Sequence, residues 1–170
     1  MGSIGPAATY GWIAGENAAK YAKRKASPNV EKAQPDIEAR RSLLNEIRSR
    51  TEGASWKEAN LALQQTMQDY AGVIRTATLL QAGLNHLRRL RKKVDATMMA
   101  TNQWELTRCL ETLNLFDLGE LVFMAANERK ETRGLHKRPD YPLTSPLLEN
   151  QALFITKIGA EPILEWRKME

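Results

Sequence analysis

Residues 102–133 read NQWELTRCLETLNLFDLGELVFMAANERKETR, and the parsing of this stretch decides the fold. Asn102 supplies a side-chain oxygen suited to a helix N-cap, and no proline interrupts the run that follows. Leu106, Cys109, Leu110, Leu113, Phe116, Leu121 and Met124 recur mostly at three- and four-residue steps. This spacing places them on one face and predicts a long helix running to about Arg133. Cys109 falls inside that apolar stripe, which marks it as a buried structural thiol rather than a nucleophile.

The preceding segments follow the same period. From about Thr76 to Asp95 the pattern predicts a helix with Leu79, Leu80, Gly83, Leu84, Leu87, Leu90 and Val94 toward a core. Arg88, Arg89, Arg91, Lys92 and Lys93 gather around its last turns, where positive charge complements the helix dipole. Ser55 and Glu58 form a capping-box pattern ahead of a helix in which Trp56, Ala59, Leu63, Met67 and Tyr70 share a face, and Gly72 bends the chain after it. Ile37, Leu43, Leu44 and Ile47 predict an amphipathic helix over about 35–50, ended by Gly53. Before it, Ser27-Pro28-Asn29 and Gln34-Pro35 punctuate a polar connector. Pro6 suits the first turn of an opening helix that reaches about Lys25. Its small residues Ala7, Gly11, Ala14, Gly15, Ala18 and Ala22 make one face nearly flat. Each glycine costs that helix about 1 kcal/mol relative to alanine, so a neighbour packed on the flat face is expected to compensate.

After Gly134 the chain becomes a loop rich in Arg, His, Asp and Pro. Two strand-like runs, Ala152–Ile158 and Pro162–Trp166, then flank Gly159 as a β-hairpin. The fold class read from these segments is mainly α: an antiparallel bundle of three to four helices, preceded by one helix of another layer and followed by an extended tail with a small hairpin.

The 170 residues are 42% hydrophobic and 26% charged, an ordinary globular composition with room for a modest core but hardly for a complete large enzyme. One cysteine and two histidines, His86 and His136, cannot assemble the usual zinc cage, and a lone cysteine fits a reducing compartment. No apolar run approaches the roughly 20 residues of a membrane-spanning helix. The opening Met1 to Pro6 has no basic n-region followed by an apolar core. The net charge of +5 arises from 25 basic residues interleaved with 20 acidic ones. The basic run at 88–93 invites a nucleic-acid reading, but no aromatic platform is interleaved with the charges, and a solvated or acid-paired helix end explains them more simply.

The densest polar cluster runs from Arg129 to Pro142. Its arginines, histidine, carboxylates and phenol could bind a dicarboxylate through bidentate guanidinium contacts, with His136 as acid or base. The other reading is structural: Arg133 and Arg138 pair with Glu131, Asp140 or a neighbouring domain, Gly134 is a left-handed helix cap, and His136 is a satisfied interface residue. The residue chemistry alone favours the second. No HExxH, GxxxxGK[ST] or GxSxG pattern occurs.

The string Glu131-Thr132-Arg133-Gly134-Leu135-His136-Lys137-Arg138-Pro139-Asp140-Tyr141-Pro142 resembles the Glu-Ser-Arg-Gly-x-His-x-Arg-x-Asp-Tyr-Pro signature of the fumarate reductase/succinate dehydrogenase flavoprotein family, which includes L-aspartate oxidase. Tyr70-Ala71-Gly72-Val73-Ile74-Arg75 is similar to that family's Gly-Val-x-Arg turn. Gly11-Trp12-Ile13-Ala14-Gly15-Glu16-Asn17 is similar to its last flavin-domain helix, although Trp12 stands where an arginine is common. The resemblance spans the whole chain.

This resemblance implies that 1–26 is the terminal helix of an FAD-binding domain, 27–54 a connector and helix, 55–134 the helical bundle of the C-terminal domain, and 135–170 the loop and hairpin tail. Gly2, Ser3 and Ile4 match the turn whose helix start faces the flavin, where backbone N–H groups and the helix dipole would stabilise negative charge on its pyrimidine edge. The family's Gly-rich FAD loop, capping-domain arginine and substrate-gripping residues have no counterpart here. The expectation is therefore a C-terminal fragment of an FAD enzyme acting on a small dicarboxylate, with an incomplete FAD site and no activity alone. Arg129, Glu131, Arg133, His136, Arg138 and Tyr141 are expected at a seam with the missing FAD-binding and capping domains, near the active site of the parent. An iron-sulfur or other electron-transfer subunit is an implied partner, and the implied location is cytoplasmic, or peripheral to a membrane through partner subunits. Homodimerisation of a fragment is a further expectation. The Gly134-Leu135-His136 variant keeps L-aspartate oxidase as an alternative parent, whereas Ile163-Leu164-Glu165-Trp166-Arg167 looks more like fumarate reductase-type proteins. A free-standing helical adaptor for an acidic partner or nucleic acid is the alternative outside the family.

Overall fold

The structure, a computed structural model, describes residues 4–25, 30–159 and 161–169. Its helices are α1 (Ile4–Lys23), α2 (Gln34–Ser49), α3 (Trp56–Ala71), α4 (Ala77–Thr97) and α5 (Gln103–Glu128), with short 3-10 turns at Val30–Ala33 and Pro146–Leu148. An antiparallel hairpin, β1 (Gln151–Ile158) and β2 (Glu161–Lys168), closes the chain, pairing Leu153 with Trp166 and Ile155 with Leu164. The mainly helical architecture with a terminal hairpin is the one the sequence predicts. The chain divides into two compact units, Met1–Arg41 and Ser42–Glu170.

In the larger unit α3, α4 and α5 pack pairwise around Leu63, Leu80, Leu87, Leu113, Phe116 and Phe123. Ile47, at the end of α2, joins this core, and its carbonyl accepts from the Ala100 N–H at 3.2 Å. Each bundle helix starts at a side-chain cap. Ser55 and Glu58 make the expected reciprocal box, Thr76 accepts from the Leu79 N–H, and Asn102 accepts from the Glu105 N–H at 3.0 Å. Such caps contribute about 1 kcal/mol each. Cys109 is fully buried; its thiol donates to the Met99 carbonyl, and burial pushes its pKa up to about 11. The thiol therefore stays protonated and inert at neutral pH.

Several sequence expectations are corrected. The helix from Asn102 stops at Glu128 rather than near Arg133, because Arg129 is extended and the residues beyond it fold back on the helix end. Gly53 does not end the preceding helix, which stops at Ser49. It lies where a Cβ would fall 1.9 Å from the Thr97 carbonyl oxygen, at the crossing secured by Ala54 N–H donating to Thr97 O. Leu79 is 39% exposed, in the first turn of α4, while Thr112, Phe123 and Ala126 join the buried residues of α5. α5 meets both α3 and α4, so its buried sector is wider than a single stripe. The last turn of α4 carries no base. Arg88 instead pairs with Glu120 at 2.7 Å, and Arg91 with Asp95 and Asp117 at 2.8 and 2.6 Å, so these arginines tie α4 to α5 and to its own next turn.

In the smaller unit, α1 carries an exposed Glu16–Lys20 pair one turn apart and buries none of its residues. A methyl at Gly11 or Gly15 would enter open space, so among the described residues of its own unit nothing packs against the small-residue face at these two positions.

Candidate functional site

The charged cluster is assembled from three parts of the larger unit: the turn between α3 and α4, the start of α4, and residues 129–145 after α5. Two-way backbone bonds between Arg133 and His136 close a tight turn with Gly134 at its first central position, at φ +57°. II′-type hairpin turns reserve that position for glycine. Gly134 thus shapes the loop rather than capping a helix, because α5 has already ended. The α3–α4 turn is stitched to the loop by Lys137 N–H donating to Val73 O at 3.1 Å and Arg75 N–H donating to Lys137 O at 2.8 Å.

Arg138 is the largest fully buried side chain. Its Nη1 donates to the carbonyls of Ala126 and Asn127 in the last turn of α5, at 2.8 and 3.4 Å, and to that of Arg129 just beyond the helix at 3.3 Å. The carbonyls of Ala126 and Asn127 have no acceptor role within the helix and depend on this donor, while that of Arg129 also accepts from His136. The other edge of the guanidinium grips Asp140 through two bonds of 2.8 Å, and Asp140 in turn accepts from Ala77 N–H, the first residue of α4, at 2.8 Å. One ion pair thus sets a cation at the negative end of α5 and an anion at the positive end of α4, the signs that both helix dipoles favour. Asp140 is held well below the usual carboxylate range, chiefly by Arg138.

Glu131 is also fully buried. Its carboxylate receives Arg129 and the Arg133 guanidinium, the latter at 2.9 and 3.2 Å, together with the Ser145 N–H at 2.8 Å. These bonds, Arg133 foremost, bring its pKa down to about 2 against the opposing effect of burial. His136 is half-buried, with Arg75 Nη1 3.1 Å from Nδ1 and the Arg129 carbonyl 3.0 Å from Nε2. A guanidinium can only donate, so Nδ1 is the acceptor and Nε2 carries the proton that goes to the carbonyl. Burial first, then the charges of Arg75, Arg138 and Arg129, lower the imidazole pKa. His136 is held as a neutral bridge. Tyr141 lies beside Arg138, whose guanidinium stands 4.9 Å from its ring, and Arg129 covers Trp166 of β2 at 4.8 Å.

The structure brings Arg129, Glu131, Arg133, His136, Arg138 and Tyr141 into one network and pairs Arg133 and Arg138 with carboxylates of the same loop. Gly2 and Ser3 lie outside the described residues; Ile4 opens α1. Asp140, expected from the sequence only as an ion-pair partner of the loop arginines, and Arg75, expected only as the end of a turn motif, are equally part of the network. The signal for Arg75 was the turn motif it ends, and for Asp140 its place two residues from Arg138. Among the described residues no group of three His, Cys, Asp or Glu side chains could hold a metal, and no helix is long and apolar enough to cross a membrane.

The profile described as "Fumarate reductase flavoprotein C-term" matches residues 60–167. The succinate dehydrogenase flavoprotein subunit of Rickettsia bellii is 33% identical over 124 residues, covering 70% of this chain and 21% of that protein. L-aspartate oxidase of Yersinia pestis is 32% identical over 142 residues, covering 78% of this chain and 23% of that protein. The chain therefore spans about a fifth of the length of the curated relatives it matches. In fold it is similar to E. coli quinol fumarate reductase, with a TM-score of 0.76 at 20% identity over 92% of this chain and 28% of that one.

Proposed function

The chain belongs to the fumarate reductase/succinate dehydrogenase flavoprotein family, whose C-terminal domain it carries, and from that premise we propose that it braces the catalytic domains of an FAD-dependent dicarboxylate oxidoreductase without turning over substrate alone. In this reading 1–26 is the last helix of the FAD-binding domain, 27–54 a connector and helix, 55–134 the bundle, and 135–170 the loop and tail. Arg129, Glu131, Arg133, His136, Arg138 and Tyr141 stand at the seam with the FAD-binding and capping domains. The observation that carries the proposal is the closed network itself. Arg133 and Arg138 are already engaged by Glu131 and Asp140, so the loop is suited to holding a shape rather than gripping a substrate carboxylate.

The start of α1 fits a flavin edge in one respect. The N–H groups of Ile4 and Gly5 have no acceptor inside the helix, and the first turn carries no carboxylate to compensate the positive end of the dipole. With Gly2 and Ser3 before it, this end would hold FAD, which when bound supplies hydride transfer. An electron-transfer subunit is the further partner, and attachment to a membrane would be peripheral, through such subunits.

The test has two arms. The purified chain, given FAD, succinate or fumarate and an artificial electron carrier, is expected to show neither a bound-flavin spectrum nor turnover. Co-expressed with the flavin and capping domains of a succinate dehydrogenase flavoprotein, it is expected to co-purify and raise flavin retention. Turnover by the chain alone, or failure to co-purify, would overturn the proposal.

A further inference from the structure

Of the arginines in the cluster, Arg75 alone has no carboxylate partner among the described residues. Arg129 and Arg133 share Glu131, and Arg138 holds Asp140, whereas Arg75 spends its Nε–H on the Gly72 carbonyl at 2.5 Å and one Nη1–H on His136. A guanidinium has five N–H donors, so three of the five remain. The group is half-buried and its pKa is lowered by burial alone, with no anion to offset the loss of water. Its surroundings add positive charge, since Lys137 is backbone-paired with the same turn and Arg129 and Arg138 lie close enough to act on the same imidazole.

Exposed aliphatic side chains share the two paired segments with this cation. Val73 and Ile74 immediately precede Arg75 and are 52% and 67% exposed; Leu135, on the tight turn two residues from Lys137, is 79% exposed. These side chains do not sit on a loose loop. The bonds from Lys137 to Val73 and from Arg75 to Lys137 fix the turn and the loop as one ribbon, so little ordering cost remains for a partner to meet. A half-buried, uncompensated guanidinium on a ribbon that also carries three exposed aliphatic groups has the composition of an interface patch, where an arginine anchor is accompanied by side chains that exclude water.

We infer that Arg75, with the exposed Val73, Ile74 and Leu135 of the same paired segments, is a docking anchor for a protein carboxylate flanked by apolar side chains. The inference rests on the reading of this chain as a bracing domain and places that carboxylate on the flavin and capping portion. Charge complementarity selects the partner: the local excess is positive, and a carboxylate supplies both acceptors for the three remaining donors and the counter-charge that a neutral carbonyl would not. Burial of these aliphatic groups on docking would then strengthen the ion pair by removing water from it.

The test measures the affinity of the chain for a polypeptide carrying the flavin and capping domains, as wild type, Arg75→Gln, Ile74→Asp and Arg89→Gln. Arg75→Gln is expected to weaken binding roughly ten- to a hundredfold, the range for a lost charge-assisted hydrogen bond. Raising the salt concentration should weaken the wild type more than this variant. Ile74→Asp, at an exposed position that leaves the fold intact, should weaken binding at least as much, and Arg89→Gln on the far charge run should not. If the wild type binds and both Arg75→Gln and Ile74→Asp bind equally well, the inference fails while the bracing role stands. If the wild type does not bind, the bracing role fails and the inference with it. If these residues instead mediate pairing of two copies, seen as a monomer on sedimentation of Ile74→Asp with no change in partner affinity, the inference also fails.

Discussion

The bundle core and the 129–145 loop stabilise the same unit by opposite means. The core is a set of interchangeable apolar contacts in which each side chain contributes separately, so loss is graded and repacking is possible. The loop is a polar network in which Arg138, Asp140 and His136 satisfy groups on other elements and Glu131 ties the loop to itself. Removing one member strands the others out of water, and the cost exceeds that of the bond removed. A buried charge is thus a poor source of net stability and a strong source of geometric definition.

The sharpest way to break this contrast is Arg138→Ala. It removes the donor for the Ala126 and Asn127 carbonyls of α5 and leaves Asp140 without its cation, so a loss of about 3–5 kcal/mol is expected on chemical denaturation. Adding Asp140→Ala should cost less than its effect in the wild type, since the partner is already gone. Additive losses would show that the loop behaves like the core.

Glu131→Gln comes next, at about 2 kcal/mol, because the amide keeps an acceptor for Ser145 N–H but loses its charge toward Arg129 and Arg133. Acid should mimic it in the wild type. Glu131 and Asp140 have folded pKa values below those of the unfolded chain, so their contribution is complete above about pH 4.5 and fades as pH falls toward 2. His136 adds an earlier effect of the same sign. Its neutral folded form is full strength above the ordinary imidazole pKa near 6.5, and its contribution declines as pH drops below that value. Melting temperature recorded from pH 7 to pH 3 checks both, and a flat profile for the wild type would contradict the network.

The smallest effect belongs to the core. Phe123→Leu, at a position as fully buried as Arg138, should cost only about 1 kcal/mol because the bundle can repack around a similar volume. A loss equal to that of Arg138→Ala, read from the same denaturation curves, would remove the distinction between the two regions.

This distinction also explains what could be read from the sequence. The capping of α3 and α5 was legible because Ser55 and Glu58, or Asn102 and Glu105, meet within one turn. The family signature and the pairing of Arg133 and Arg138 with Glu131 and Asp140 were legible for the same local reason. The end of α5 was misplaced, since no residue between Ala125 and Arg133 breaks a helix and the stop is imposed by Arg138 reaching back to Ala126. Likewise, the contacts of His136 with Arg75 and of Asp140 with Ala77 span 61 and 63 positions, and no local pattern announces them.

The clasp of Arg138 and Asp140 across the ends of α5 and α4 also bears on the order of events in folding. The helices of the bundle can pair through neighbouring segments, a route with short loops and low entropic cost. The clasp requires α4, α5 and the loop beyond them to be in place before its bonds form. It therefore belongs to the final approach to the native state, and interactions made that late slow the escape from the native state rather than hasten arrival.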